Sequence, residues 1–427
     1  MTETLPRRPR PTAEARLSTL RGAALYIGAL LGPGLLLLPG LAVAEAGPAS
    51  VVAWAGLLVL SALFALVFGA LGRSFPSAGG VAGYVATGLG PRAGRATRWM
   101  FLTGVVTGAP VVCLIGAGYV TALTGGGQVT RAAVAAVLLL SVLALAARGL
   151  RTSTTAQLLM VALLILVVAA AVIGSAHAAR AANWTPFAPH GWPAVGHAAA
   201  TLMLSFVGWE AVAPLTSRFA DPGRQLFRVV SIALAVTSAL YLALAVATVA
   251  ILGRNAGSLV PLAGLLRSAA GPAGTAGAAV AAVVLTLGAT NAYINGASAM
   301  AGAPGPLFLA AISVAGLPLI TLYGLGLVSP ASLVAVPTAF FLAVYLGCMI
   351  SALRLLRGPA RWAALPAGIA AGIMLGYCGW ALAAPVAVVA TGVMAGPERL
   401  AGGHTIVDRD RLYARGRGAR LRRHDHR

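Results

Sequence analysis

Glu210 is the one acid that the hydropathy pattern places in mid-membrane, at the end of the string Leu204-Ser205-Phe206-Val207-Gly208-Trp209-Glu210. An ionisable group at that depth is functional by default, able to carry a proton or to gate a ligand; the competing role is a static acceptor that caps a half-helix. A second unusual stretch, YIGALLGPGLLLLPG from Tyr26 to Gly40, sets Gly28, Gly32, Pro33, Gly34 and Pro39 in a single apolar run. Each of these weakens or deletes a helical hydrogen bond where no bulk water replaces it. Unwound backbone is tolerated in a bilayer only where it is buried against protein or lines a cavity, so both stretches mark a binding site. The N–H groups and positive dipole end of a half-helix that begins near Gly34 suit a carboxylate. Carbonyls left free around Ala29 to Leu31 and Ser205 to Val207 suit an ammonium. Together they describe a site for the zwitterion of an amino acid.

Other chemistry is poorly represented. No HExxH, GxSxG, paired-acid or P-loop pattern is present, so an enzyme is not expected. Cys113, Cys348 and Cys378 lie in apolar runs without metal-ligand spacing and read as packing residues, so neither a metal nor any other cofactor is expected. Every basic residue is Arg, which excludes a lysine Schiff base. Of the nine acids only Glu45, Glu210 and Asp221 lie between the terminal tails. Glu45 reads as an interface residue, and Asp221-Pro222-Gly223-Arg224 as a turn held by a local ion pair. His177, His190 and His197 read as residues of a solvated connection.

The elements that must position these residues are membrane helices. Of 427 residues, 59% are hydrophobic and 9% charged, against about a quarter charged in a soluble domain. Apolar runs of spanning length fall at 20–46, 51–72, 96–122, 129–147, 153–176, 196–217, 229–252, 275–299, 306–327, 331–353, 362–380 and 382–396. The first run is too long for a signal-peptide core and is expected to stay as a helix. With the N-terminus placed in the cytoplasm, only Arg131, Arg180, Arg254 and Arg267 of the 30 basic residues fall outside. That asymmetry predicts an all-α protein of twelve spans with both termini cytoplasmic. It also accounts for the basic charge, so nucleic acid is not an expected partner. Residues 1–19 form an N-terminal tail, 20–396 the transporter domain, and 397–427 an Arg-rich tail without the composition to fold. From Leu20 to Leu31 is roughly 18 Å of helix, which puts the first break near the middle of the bilayer. The breaks recur in spans one and six, five apart, as in transporters built from inverted repeats.

The strings GALLGPGLLLLPG, GRSFPSAGGVAGYV (72 to 85), GAP (108 to 110), SFVGWEA with DPGR, NAYI (291 to 294) and YLGCMISALRLLRG (345 to 358) resemble the amino acid-polyamine-organocation superfamily of permeases. Within it they are most similar to the bacterial exporters of methionine and branched-chain amino acids. The resemblance runs over about residues 20 to 396. It implies a LeuT-like 5+5 inverted repeat, about 20–176 and 196–353, with two added helices at about 362–396, alternating access, and a place in the cytoplasmic membrane. By match, Gly28, Gly32, Pro33 and Gly34 would belong to the substrate site, with Gly32 and Gly34 binding the carboxylate through backbone N–H. Phe206, Gly208 and Trp209 would line the side chain and amine, and Glu210 would couple proton movement or gating.

Three departures stand out. Relatives carry Ser or Thr where this chain has Pro33, which lacks N–H and hydroxyl alike. The link from Ala301 to Gly305 is short and carries no Arg. A lysine that replaces sodium in the fifth helix of some relatives is absent, and Thr290 and Asn291 supply polar lining without forming a sodium site. With Glu210 the only core charge, neutral amino acids are favoured over charged ones. The expected activity is proton-coupled export; import or exchange, and a sensor that does not transport, stay open, as does oligomeric state.

Overall fold

A computed structural model describes residues 18–75, 80–150, 153–211, 219, 222–301 and 305–394. Contacts divide the chain at Gly392, and of the second unit, Val393–Arg427, only the last helical residues are described. The Arg-rich tail, residues 1–17 and Asp221 thus lie outside the described residues.

Every regular element among the described residues is helical. In chain order these are α1 (Thr19–Leu30), α2 (Leu38–Ala46), α3 (Ser50–Ser74), α4 (Gly80–Leu89), α5 (Pro91–Thr124), α6 (Gln128–Ala147), α7 (Thr154–Ser175), α8 (Pro193–Leu202), α9 (Pro222–Leu252), α10 (Pro261–Ala301), α11 (Pro306–Gly324), α12 (Pro330–Leu355), α13 (Pro359–Tyr377) and α14 (Ala383–Met394). Local sequence sets many of the starts. Ser18, Ser153 and Ser329 cap α1, α7 and α12 by accepting a backbone N–H. Pro91, Pro193, Pro306, Pro330 and Pro359 open helices where the missing N–H would have had no partner.

Eight helical stretches are long and apolar enough to cross a membrane among the described residues; a ninth arises if the pair Pro359–Tyr377 and Gly379–Ala390, bent by 116°, counts as one span. The expected spans missing from these eight are the first and sixth, which are broken, and the last two, which meet at that bend. Large apolar side chains such as Leu20, Val59, Leu159, Ile173 and Val314 are exposed on the helices' outer faces, the arrangement that lipid rather than water accommodates.

α5 is the central helix, packed on α4, α6, α10, α11 and α12, while α1 lies against α7 and α9, and α2 against α8. Close approach relies on small residues: a Cβ on Gly116 of α5 would stand 2.6 Å from the Thr286 hydroxyl of α10. Two short helices do not emerge from a search for spanning runs. α4, about 15 Å long, begins within the GRSFPSAGGVAGYV string and docks on α5 and α12. The first nine residues of α10 precede a kink at Ala270 and Gly271, where φ is −141° and 61°.

Candidate functional site

The first break begins where α1 ends at Leu30. Leu31 returns its N–H to Ile27 (2.7 Å), Gly32 is extended (φ −70°, ψ 176°), and a 3-10 turn, Pro33–Leu36, leads into α2. Within that turn the Leu35 and Leu37 amides bond back to Gly32 and Gly34, both at 3.1 Å. The Gly32 and Gly34 N–H groups have no partner among the described residues. Pro33 is the first residue of the turn, a position where an N–H would be unused by the helix in any case. Its fixed φ therefore helps to open the second half. With leucine as a probe of the amino-acid site expected from the sequence, Pro33→Ser should change its affinity for the purified protein by less than about threefold. A gain of tenfold or more would mean that an amide at 33 is a missing ligand contact.

The second break follows α8. A 3-10 turn, Met203–Phe206, gives way to extended Val207 (φ −71°, ψ 130°) and to Gly208, whose φ of 142° excludes ordinary side chains. A second turn, Trp209–Ala211, follows; 212–218 are outside the described residues. The two breaks touch. A Cβ on Gly208 would lie 2.5 Å from the Ala29 carbonyl oxygen, so only glycine admits this crossing.

Three buried tyrosines hold the unwound backbone. The Tyr241 hydroxyl sits 2.6 Å from both the Leu30 and the Ser205 carbonyl oxygens, so its single proton bridges the two breaks. Tyr119 donates to the Leu36 carbonyl at 2.6 Å. Tyr345 donates to Glu210 Oε2 at 2.6 Å, and its oxygen lies 3.2 Å from the Gly208 and Trp209 amides. The Glu210 carboxyl also accepts from Gly208 N–H at 2.8 Å and makes no ion pair among the described residues. Leu30 and Ser205, whose carbonyls the sequence offers to an ammonium, each already receive a tyrosine and keep one lone pair.

Beside the crossing lies a cavity with about 690 Å³ of empty space, counting its open mouth. Leu30, Gly32 and Gly34 line it from the first break, and Leu204, Ser205 and Val207 from the second. Val105, Ala109, Val112 and Ile115 of α5, Ile294 of α10 and Phe341 of α12 form apolar walls; Thr290 and Tyr293 add polar groups. Ser205 Oγ and Thr290 Oγ1 are buried without a hydrogen-bond partner. The Ser205 hydroxyl is 3.3 Å from where a Gly34 Cβ would be, beside the unpartnered amides. Unpaired buried polar groups cost about 1–3 kcal/mol each, a cost that a ligand with matching groups removes.

Of the residues singled out from sequence, Gly32, Gly34 and Thr290 border this cavity. Gly28 instead faces α7, where a Cβ would approach Val161 to 2.6 Å. Phe206 packs between Trp54 and Tyr241, with ring centroids at 5.9 and 5.2 Å. Trp209 is fully buried on the far side, donating from Nε1 to Ser61 Oγ at 2.8 Å. Glu210 and Gly208 lie at the helix crossing rather than in the cavity wall. Asn291, a helical step of about 100° beyond Thr290, donates to the Leu150 carbonyl at 3.0 Å and accepts from Asn295. Ser205, marked in the sequence for its carbonyl, enters the lining with its hydroxyl as well, and Tyr293 and Phe341 enter it without a sequence signal that marks them as ligand contacts. Ser205 and Tyr293 do sit inside the SFVGWEA and NAYI strings.

Known proteins are similar to this chain over much of its length. The family model described as amino acid permease matches residues 17–394. An uncharacterized amino acid permease of Bacillus subtilis, YecA, is 30% identical over 406 residues, covering 90% of this chain and 95% of that protein. The L-methionine/branched-chain amino acid exporter YjeH of Escherichia coli is 29% identical over 391 residues, 85% of this chain and 92% of its own length. A methylthioribose transporter of Bacillus subtilis is 27% identical over 259 residues, 56% of each chain.

Proposed function

The chain belongs to the amino acid permease family, and on that premise we propose that it is a secondary transporter of neutral amino acids, exporting methionine and branched-chain substrates by exchange with protons. The observation that carries this reading is the pairing, in one cavity, of two unpartnered backbone amides with two unpartnered hydroxyls. The substrate carboxylate takes the Gly32 and Gly34 N–H groups and the Ser205 hydroxyl, at the start of the second half of span one. The ammonium takes Thr290 Oγ1 and the lone pairs left on the break carbonyls. Phe206, Gly208 and Trp209 then act one layer out, by fixing the backbone that carries these contacts.

The walls argue for the substrate class. Among the described residues no charged side chain lines the cavity, so a cationic or anionic side chain would find no partner there, whereas an aliphatic or thioether chain would meet Val105, Val112, Ile294 and Phe341. On this reading Glu210, hydrogen-bonded to Tyr345 where the two breaks cross, links its protonation to the opening of that crossing. The same reading keeps twelve spans in a LeuT-like repeat, in the cytoplasmic membrane with both termini inside. α1 and α2 together are about 31 Å long, enough for a single broken first span.

Flux of labelled methionine and leucine into proteoliposomes, with and without a pH gradient, tests the proposal. Gradient-dependent flux supports it; flux indifferent to the gradient removes the proton, and no flux for any amino acid removes transport. Ser205→Ala and Thr290→Ala are each expected to weaken leucine binding by about tenfold, the loss of one hydrogen bond to a charged group. Unchanged affinity in both would dissociate the hydroxyls from the site.

A further inference from the structure

A second, smaller cavity, of about 340 Å³ of empty space counting its open mouth, adjoins the first on the α2 side of the break. The two share Ile115, and Leu37, which closes the 3-10 turn of the first break, belongs to the second cavity. Its walls are mostly apolar, with Val111, Leu114, Leu259 and Leu333; Tyr323 adds a hydroxyl, and the cation among the described lining residues is Arg131. This arginine lies in the first turn of α6, where the helix dipole opposes a positive charge. Its guanidinium is half-buried against Gly118 and has only neutral partners: Nε donates to Thr121 Oγ1 at 3.4 Å and Nη1 to the Tyr323 hydroxyl at 3.1 Å. Of its five N–H groups, the others are unassigned among the described residues. The two described acids are engaged elsewhere, Glu45 with Thr201 and Glu210 with Tyr345. Arg131 is also one of the few arginines assigned to the outer face by charge distribution, yet it is turned into the bundle instead of toward headgroups.

We infer that Arg131 and its apolar surroundings form a second binding site, selective for a small carboxylate with an aliphatic tail. The guanidinium fork takes the carboxylate, the leucines and Val111 take the tail, and a bare amine is repelled. The site rests on the reading of the central cavity as an amino-acid site, for which it is an antechamber: a substrate caught by its carboxylate at Arg131 passes Leu37 and Ile115 to reach Gly34.

The test needs no transport. Leu259→Cys, and separately Leu333→Cys, report on the wall through labelling by a membrane-impermeant thiosulfonate, against the parent chain, whose three cysteines are buried. 4-Methylpentanoate is expected to slow labelling, with the half-protecting concentration about tenfold higher in Arg131→Gln. Isoamylamine should not protect. Arg131→Lys, which keeps the charge but loses the fork, should fall between. Equal protection by the amine, protection by inorganic phosphate alone, or protection unchanged in both Arg131 variants would overturn the site, as would two reporters that 4-methylpentanoate leaves unprotected. Protection without leucine flux would leave this site standing while the transport reading fell, and flux without protection would do the reverse.

Discussion

Gly208→Ala is expected to abolish transport and to cost about 2–4 kcal/mol of stability. The methyl group would enter backbone, not a side chain that can swing away: its nearest neighbours are Ala29 O at 2.5 Å, Ala29 C at 2.9 Å and Leu30 N at 3.2 Å. The φ of 142° is costly for alanine even in open space. Relief therefore requires the two broken helices to separate, which would pull Ser205 from Gly34 and draw the Leu30 and Ser205 carbonyls off Tyr241. The measurements are thermal unfolding of the purified protein in detergent and leucine flux in proteoliposomes. Wild-type values in both would mean that the crossing is looser than its geometry indicates.

Glu210→Gln should have an equally large effect on flux through a different route. The amide oxygen can still accept from Gly208 N–H and Tyr345 O–H, so the crossing keeps its shape and leucine affinity stays within about threefold of wild type. What is lost is a group able to bind and release a proton, so pH-driven flux is expected to fall to the level of empty liposomes. Tyr345→Phe, which keeps the acid and removes its donor, should retain gradient dependence at a reduced rate. Full gradient-driven flux by a folded Glu210→Gln protein would reduce the carboxylate to a static cap.

Gly208 and Glu210 stand out in the sequence for different reasons than the residues around them. Gly208 and the Gly32-Pro33-Gly34 stretch announce themselves, because glycine and proline clustered inside an apolar run interrupt the helix that the run would otherwise form. Helix positions follow from the same runs, and α5, α6, α7, α11 and α12 begin and end within a few residues of the apolar stretches. Facing is another matter. Phe206, Trp209 and Asn291 are adjacent in sequence to Ser205, Gly208 and Thr290, but in irregular backbone or across one helical step they point to different neighbours, and no periodicity spans a break. The unpartnered state of Ser205 and Thr290 depends on what surrounds them in space, and so does the work of Tyr119, Tyr241 and Tyr345, which are separated from their acceptors by 36 residues or more. α4 and the start of α10 escape because neither is long enough to register as a span. Pro33 reads in sequence as a lost donor; as the opening residue of a 3-10 turn it removes an amide that the turn does not use.

In the proposed transporter one cavity recognises both ends of an amino acid at once. Equilibrium binding of leucine, leucinol and 4-methylpentanoate to the purified protein tests it most directly, since leucinol lacks the carboxylate and 4-methylpentanoate the ammonium. Leucine should bind at least about tenfold more tightly than either analogue, and Ser205→Ala should weaken leucine while leaving leucinol nearly unchanged. Equal affinity for all three would contradict the claim, because an apolar cavity that ignores the zwitterion has no use for the amides and hydroxyls gathered at the two breaks.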